Sequence, residues 1–179
     1  MRRLMRGVRV EGGGSRVSSR HPFGTAVGNV RVRGGGVWYY EVRVDSSKTA
    51  QVGWSGPRMR ALSVTAGGVG DDESSWAYDG SRGLFWHDRR SVSYGGRQWK
   101  AGDVVGCVLD LDACRMRFTL GGRDLGCASA RLPEWVRELG LSPALTLSAG
   151  LSAVVNFGQW RFQHRPPKGA RPLTQHAHM

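Results

Sequence analysis

Apolar and polar residues alternate with a period of two in several short stretches of this chain. In VWYYEVRV (37–44), Trp38 and every second residue after it are apolar, whereas Glu41 and Arg43 lie on the other face. A period of two is typical of a strand with one face in the core. The pattern therefore predicts a half-buried strand here.

The alternation returns in AQVGWS (50–55) and in VVGCVLDLD (104–112). In the second stretch the apolar residues again share a face, which leaves Asp110 and Asp112 on the opposite one. We expect both carboxylates to point to water. A glycine pair, Gly121-Gly122, separates two further strand-like stretches and suits a two-residue hairpin turn.

Glycine is unusually frequent, at 27 of 179 residues, so many tight turns are expected. Only PEWVREL (133–139) has a helix signature, with proline in the first turn. Short strands at roughly ten-residue intervals with at most one short helix indicate an all-β sandwich or barrel. Four tryptophans, by contrast with the more exposed Trp86 and Trp135, are predicted to pack in the core: Trp38, Trp54, Trp76 and Trp99.

Positive charge is concentrated at the two ends of the chain. The net charge is +12, of which residues 1–20 contribute six arginines against one glutamate and residues 161–179 contribute four basic residues and no acid. The remaining body has an ordinary mixed surface. We therefore do not expect nucleic-acid binding by the body, although RNA binding through the basic tails stays an alternative.

The same distribution suggests the domain limits. Residues 1–20 are interpreted as a basic, disordered leader, since Gly12 to Gly14 interrupt the amphipathic helix that a transit peptide would need. Residues 168–179 are interpreted as a flexible tail, and one domain is expected over 21–167. No stretch reaches the length of a membrane span, and three cysteines without a CxxC pair fit a reducing, cytoplasmic setting.

Six ordered blocks of this sequence resemble the SPRY domain: VWYYEV, QVGW, GVGDDESSWAYDG, WKAGDVVGCVLDLD, MRFTLGGRDLG and LSPALTLSAG. The GVGDD block and the closing VVNFGQWRF look most similar to SPRY domains of ryanodine receptors and of large RING- or HECT-type ubiquitin ligases. The resemblance implies a concanavalin-like jelly roll, a twisted two-layer antiparallel β-sandwich. It also implies a noncatalytic protein-interaction module that uses loops at the sandwich edge.

The residues themselves offer no coherent catalytic or cofactor constellation. The acidic loop at Asp71, Asp72 and Glu73 could ligate a hard cation, but we favour carboxylates that accept hydrogen bonds from nearby backbone N–H groups. Cys107 lies mid-strand on the inward face and is interpreted as an inert small hydrophobe. We expect no enzyme activity, no metal and no small-molecule cofactor.

The favoured function is recognition of a partner peptide or protein through edge loops, with the substrate-recognition part of a ubiquitin ligase as one setting for it. The alternatives are a structural SPRY module of a larger channel or scaffold protein, RNA binding through the tails, and carbohydrate binding. Candidate contact segments are the variable loops, because binding residues concentrate on loops held by a rigid support. The candidate contact residues are Arg58, Met59, Thr65, Trp86, His87, Arg89 and Leu151.

Overall fold

The computed structural model describes residues 3–4, 7–60 and 67–178, with side chains described from 7 to 60 and from 67 to 175. The described residues form fifteen strands, one α-helix and two 3-10 helices. The strands are β1 (Arg3–Leu4), β2 (Val8–Glu11), β3 (Arg16–Ser19), β4 (Gly24–Val27), β5 (Val37–Val44), β6 (Ala50–Ser55), β7 (Ser75–Asp79), β8 (Leu84–His87), β9 (Arg90–Ser93), β10 (Val104–Asp110), β11 (Arg115–Leu120), β12 (Arg123–Ser129), β13 (Ser142–Leu147), β14 (Ser152–Asn156) and β15 (Ala170–Pro172). The helices are α1 (Trp135–Leu139) and the 3-10 segments Gly12–Gly14 and Leu173–His178.

Two sheets form the sandwich. The first has the strand order β1-β4-β13-β6-β7-β8-β9, and the second has the order β12-β11-β10-β5-β14-β3-β2. Every pair along these two paths is antiparallel, and only β15 adds a short parallel pairing to β5. The predicted all-β, two-layer sandwich with one short α-helix is confirmed. In the described part of the chain, no helix has the length and apolar character that a membrane crossing requires.

Aromatic side chains fill the space between the sheets. Tyr40 of the second sheet meets Trp54 of the first edge-on, with ring centroids 5.0 Å apart, and Tyr78 meets Trp99 at 5.5 Å. The four tryptophans predicted to be core residues are all at most 2% exposed. Each such ring removes roughly 150–250 Å² from water, which makes these contacts a main source of stability.

The glycine pair works as the sequence predicted. Gly121 and Gly122 connect β11 to β12 with φ of 59° and 81°. Both angles lie in the left-handed region that a primed hairpin turn requires and that glycine adopts without strain.

The outer face of β5 differs from the prediction of a half-buried strand. Tyr39 and Glu41 are only 1% and 3% exposed, although they point away from the aromatic core. Phe162 packs edge-on against Tyr39 at 4.9 Å, and the backbone of Gln163 and His164 bonds to Glu41. The polar face is buried because a later, irregular segment covers it, which a strand's own periodicity cannot reveal.

Asp110 also departs from its predicted exposure. Its carboxylate is nearly buried, accepts a hydrogen bond from the Ala113 amide at 2.8 Å and pairs with Arg115 Nε at 3.1 Å. Asp112 is exposed as expected. The carboxylate of Asp110 closes the β10–β11 hairpin instead of facing solvent.

Parts of both ends of the chain pair with strands of the sandwich. Within residues 1–20, β2 pairs with β3, β3 pairs with β14, and Val17 is fully buried. Within residues 168–179, β15 pairs with β5 and Leu173 is 1% exposed in the core. Valines at alternate positions give the basic N-terminal stretch an inward face, which the charge count concealed.

Candidate interaction surface

Loops from the first sheet meet at one end of the sandwich. Register pairs Ser55 with both Ser75 and Ser142, and His87 pairs with Arg90. The segment after β6, the turn between β8 and β9, and the approach to β13 therefore lie side by side. We call the exposed surface formed by residues 58–60, 71–74, 87–89 and 133–135 the loop surface.

Carboxylates hold the acidic part of this surface in place. Asp72 accepts hydrogen bonds from the Ser74 amide at 3.0 Å, the Ser75 hydroxyl at 2.8 Å and the Arg60 amide at 2.5 Å. Asp71 accepts the Gly68 amide at 2.6 Å. The expected role of this loop, in which carboxylates bind nearby backbone N–H groups, is confirmed, and the loop is preorganised as a result.

The β8–β9 turn is fastened to the acidic loop. Asp88 and Arg89 have φ of 50° and 61°, a region that non-glycine residues adopt at a cost of order 1 kcal/mol or more each. Their amides donate to the carbonyl oxygens of Asp72 and Gly70, at 3.2 and 3.3 Å. These bonds hold the strained turn and present the exposed Arg89 side chain in a fixed place.

His87 is positioned by the core. Its ring stacks on Trp76 with centroids 4.6 Å apart and planes 10° apart. Nδ1 lies 2.9 Å from the Ser75 carbonyl oxygen, so Nδ1–H donates and Nε2 remains for another partner. Trp135 of α1 packs on the same Trp76 ring at 5.8 Å, and a Cβ at Gly56 would come within 2.7 Å of Trp135, so glycine permits this close approach.

Two shallow clefts adjoin on the loop surface and share Glu73. One, of about 290 Å³, is lined by Arg60, Asp71, Asp72, Glu73, Asp88 and Arg89. The other, of about 250 Å³, is lined by Arg58, Glu73, Ser74, His87, Pro133 and Trp135. Together they offer arginines, carboxylates, an imidazole and an indole edge, which suits a polar segment with one apolar anchor.

Three of the predicted contact residues come together here. Arg58, His87 and Arg89 line the two clefts, and both arginines are exposed. Met59 lies next to them in sequence but is 8% exposed, because it packs under the loop with Val69. Met59 is therefore a support for the loop and offers little contact area, contrary to expectation.

The other predicted residues lie elsewhere. Trp86 is half-buried, as expected, but points to the opposite face of β8 from His87, where Arg82 stands 4.9 Å over its ring. Leu151 is 7% exposed and belongs to the core, near Thr49 and Ser148 at the far end of the sandwich. Thr65 lies outside the described residues.

Sequence reasoning missed the apolar wall of the second cleft. Pro133 precedes α1 and Trp135 begins it, about fifty residues from His87 in sequence. Trp135 is placed at the cleft by its packing on Trp76. The partial exposure predicted for Trp135 was the one available signal. Its placement beside Arg58 depends on long-range packing.

The buried titratable groups near the centre of the fold serve packing. Burial raises the pKa of the Cys107 thiol well above its usual range, which keeps it protonated and a poor nucleophile. Burial likewise raises the pKa of Tyr78 to about 12. Both groups therefore stay neutral at physiological pH.

A comparison of the sequence with known protein families agrees with the two-sheet sandwich described above. The family model described as the SPRY domain matches residues 37–160, which is more than half of the chain. The chain belongs to the SPRY domain family. SPRY domains are in general noncatalytic protein-interaction modules.

One curated relative is a ubiquitin ligase. The "E3 ubiquitin-protein ligase RKP" of Arabidopsis thaliana is 35% identical over 140 residues, which cover 78% of this chain and 10% of that protein. The chain thus spans about a tenth of the relative's length. The expected resemblance to SPRY domains of ubiquitin ligases is confirmed.

Proposed function

We propose that this SPRY domain captures an extended peptide or protein segment on its loop surface and does no chemistry on it. The observation that carries the proposal is the pair of adjoining clefts, whose walls are fixed by Asp72 and by the His87–Trp76 stack. A surface that is already ordered loses little conformational entropy on binding. That is the property expected of a recognition module.

The residues on this surface suggest how the segment is held. Arg58 and Arg89 flank the two clefts and are exposed, and arginine is enriched among residues that dominate binding energy. Glu73 lies between them and favours a donor on the partner. Trp135 and Pro133 offer an apolar patch for one anchoring side chain.

The likeness to an E3 ubiquitin-protein ligase suggests the context of this capture. In a longer protein of that kind, this domain would select the substrate and a separate domain would transfer ubiquitin. The three cysteines are free in the fold, which fits the proposed cytoplasmic setting.

The test is a selection of peptides from a displayed random library against the wild-type domain. Selected peptides are then titrated calorimetrically against wild type and against the double variant Arg58→Ala/Arg89→Ala. We expect the double variant to lose about tenfold or more in affinity while its free energy of unfolding stays within about 1 kcal/mol.

A matched control removes two other exposed arginines, Arg9→Ala/Arg123→Ala, which line neither cleft. This control should bind the selected peptides like wild type. Equal binding by the double variant and wild type, or a library that yields no enriched peptide family, would refute the proposal.

A further inference from the structure

The second sheet carries a separate groove on its outer face, built by the C-terminal segment (residues 156–172). Phe162 of this segment lies edge-on to Tyr39 at 4.9 Å, and β15 pairs with the start of β5. The segment therefore crosses β5 on the side away from the aromatic core. The loop surface lies at one end of the other sheet, so the two surfaces are distinct.

A buried carboxylate fastens this segment. Glu41 is 3% exposed and accepts hydrogen bonds from the Tyr39 hydroxyl at 3.0 Å, the Gln163 amide at 2.8 Å and the His164 amide at 2.9 Å. Two backbone donors and one hydroxyl satisfy its two oxygens. The negative charge of Glu41 is thus partly compensated by donors of the protein itself, and Glu41 is not among the residues that line the larger groove described below.

Trp160 stands out at the rim of the groove. Its side chain is 52% exposed, whereas most other tryptophans are buried. Asn156 fixes the backbone beneath it, since Nδ2 donates to the carbonyl oxygens of Trp160 and Arg161 at 3.3 Å and Oδ1 accepts the Gly158 amide at 2.9 Å. A large aromatic side chain held in an exposed position is typical of a binding contact.

The groove has a volume of about 850 Å³. Residues of the C-terminal segment line it, among them Trp160, Arg161, Phe162, His164 and Arg165. This lining contains two arginines and a histidine and no carboxylate. A smaller cavity of about 150 Å³ adjoins the groove and shares Trp160, Arg161 and Gln163 with it. Glu41 and Arg43 both contribute to the lining of this smaller cavity.

The arginines of the groove are available for a partner. Ion pairs within the described ranges engage other arginines, among them Arg43 with Asp45 at 3.7 Å, and none involves Arg161 or Arg165. Both side chains are exposed. Lys168 and Arg171 follow within a few residues and add positive charge.

We propose that this groove is a second docking site, which binds an acidic peptide segment of a partner protein. Carboxylates of the segment would pair with Arg161 and Arg165, and an apolar side chain would pack on Trp160. The charge of the groove and its exposed indole are complementary to that chemistry.

A single-stranded nucleic acid fits the same observations less well. Binding of successive bases requires several exposed aromatic rings along a cationic track. Here Phe162 is turned inward onto Tyr39 and only Trp160 presents its ring, and the two arginines lie within one groove. The observations therefore favour a short peptide.

The test measures fluorescence anisotropy of a labelled acidic dodecapeptide of glutamate, aspartate and one leucine. We expect saturable binding to wild type that weakens about tenfold in Trp160→Ala, about tenfold in Arg165→Glu, and progressively with added salt. Because all these side chains are exposed, the variants should keep the melting temperature of the wild type.

Arg9→Glu is the matched control, since it makes the same charge change at an exposed arginine of β2 that lines neither the groove nor the loop surface. It should bind the acidic peptide within twofold of wild type. Loss in Arg9→Glu equal to that in Arg165→Glu would mark general charge attraction and overturn the proposal. Tighter binding of oligouridylate or of the lysine version of the peptide, self-association through the groove, or no measurable peptide binding would overturn it as well.

Discussion

The loop surface and the C-terminal groove are held in place in the same way but differ in the burial of the carboxylate that holds them. Each is an irregular segment that a carboxylate binds to the sheet through backbone N–H groups. Asp72 does this while half-buried, so the loop surface keeps carboxylates beside its arginines. Glu41 does it while buried, and the larger groove is lined by two arginines and a histidine without a carboxylate. The burial of the carboxylate that holds each segment thus affects the charge that a partner meets.

This difference affects how the positive net charge of the chain is interpreted. Of the +12, four basic residues lie after position 160, and the charge count alone made them part of a basic end of the chain. Arg161 and Arg165 instead line a folded groove. A basic stretch near the end of a chain can therefore be a specific surface once a strand beneath it supplies a buried acceptor.

The largest expected loss of stability is that of a core substitution, compared with a substitution on the surface of the groove. Trp54→Ala should lower the free energy of unfolding by about 3–5 kcal/mol, because the ring is fully buried and its removal leaves a cavity. Trp160→Ala should change it by less than about 1 kcal/mol, since that ring is half-exposed. Chemical denaturation monitored by circular dichroism gives both values, and equal losses would mean that the assignment of the core is wrong.

The next effect tests the carboxylate under the groove. Glu41→Gln replaces one accepting oxygen with an N–H₂ group that faces backbone donors, so we expect a loss of about 1–3 kcal/mol. Hydrogen exchange should show faster exchange of the Gln163 and His164 amides. Tyr39→Phe, which removes one of the three donors, is the milder comparison. Unchanged protection of the two amides in Glu41→Gln would show that Glu41 does not hold the segment.

A smaller effect is expected at the loop surface. Asp72→Asn presents an N–H₂ group to at least one donor among the Arg60 and Ser74 amides and the Ser75 hydroxyl. We expect a loss of about 1 kcal/mol, because this carboxylate is partly hydrated, and faster amide exchange confined to Arg60 and residues 67–75. Faster exchange at Gln163 as well would indicate that the two surfaces are coupled and not independent.

The smallest effect concerns the strained turn. Arg89→Gly relieves a φ of 61° but gives the unfolded chain more freedom, so the two terms should cancel to within about 0.5 kcal/mol. Peptide capture on the loop surface should nevertheless weaken, since the guanidinium is gone. A thermal melt together with a peptide titration checks both points, and full retention of binding would exclude Arg89 as a contact.

Much of the fold was predictable because local sequence patterns determine its strands, turns and helix. The alternation from Trp38 to Val44, the Gly121-Gly122 turn and the helix signature at 133–139 each depend on neighbouring residues. The order of the six blocks pointed to the SPRY family. The burial of Glu41 could not be predicted, because the residues that cover it come more than one hundred positions later.

The site was predictable in part for the same reason. Arg58, His87 and Arg89 lie in variable loops between strands, which is a local signal. Leu151 lies in such a loop too, but the register of β13 and β14 places it at the other end of the sandwich. Trp135 reaches the surface through its contact with Trp76, and no local pattern encodes that contact.

The most direct test of capture by the loop surface is a nuclear magnetic resonance titration of the labelled domain with a peptide from the library selection. Capture there predicts chemical-shift changes at the amides of residues 68–75 and of Asp88 and Arg89, with residues 148–152 at the opposite end unchanged. Changes centred on residues 148–152, or spread evenly over the outer faces of both sheets, would contradict the account.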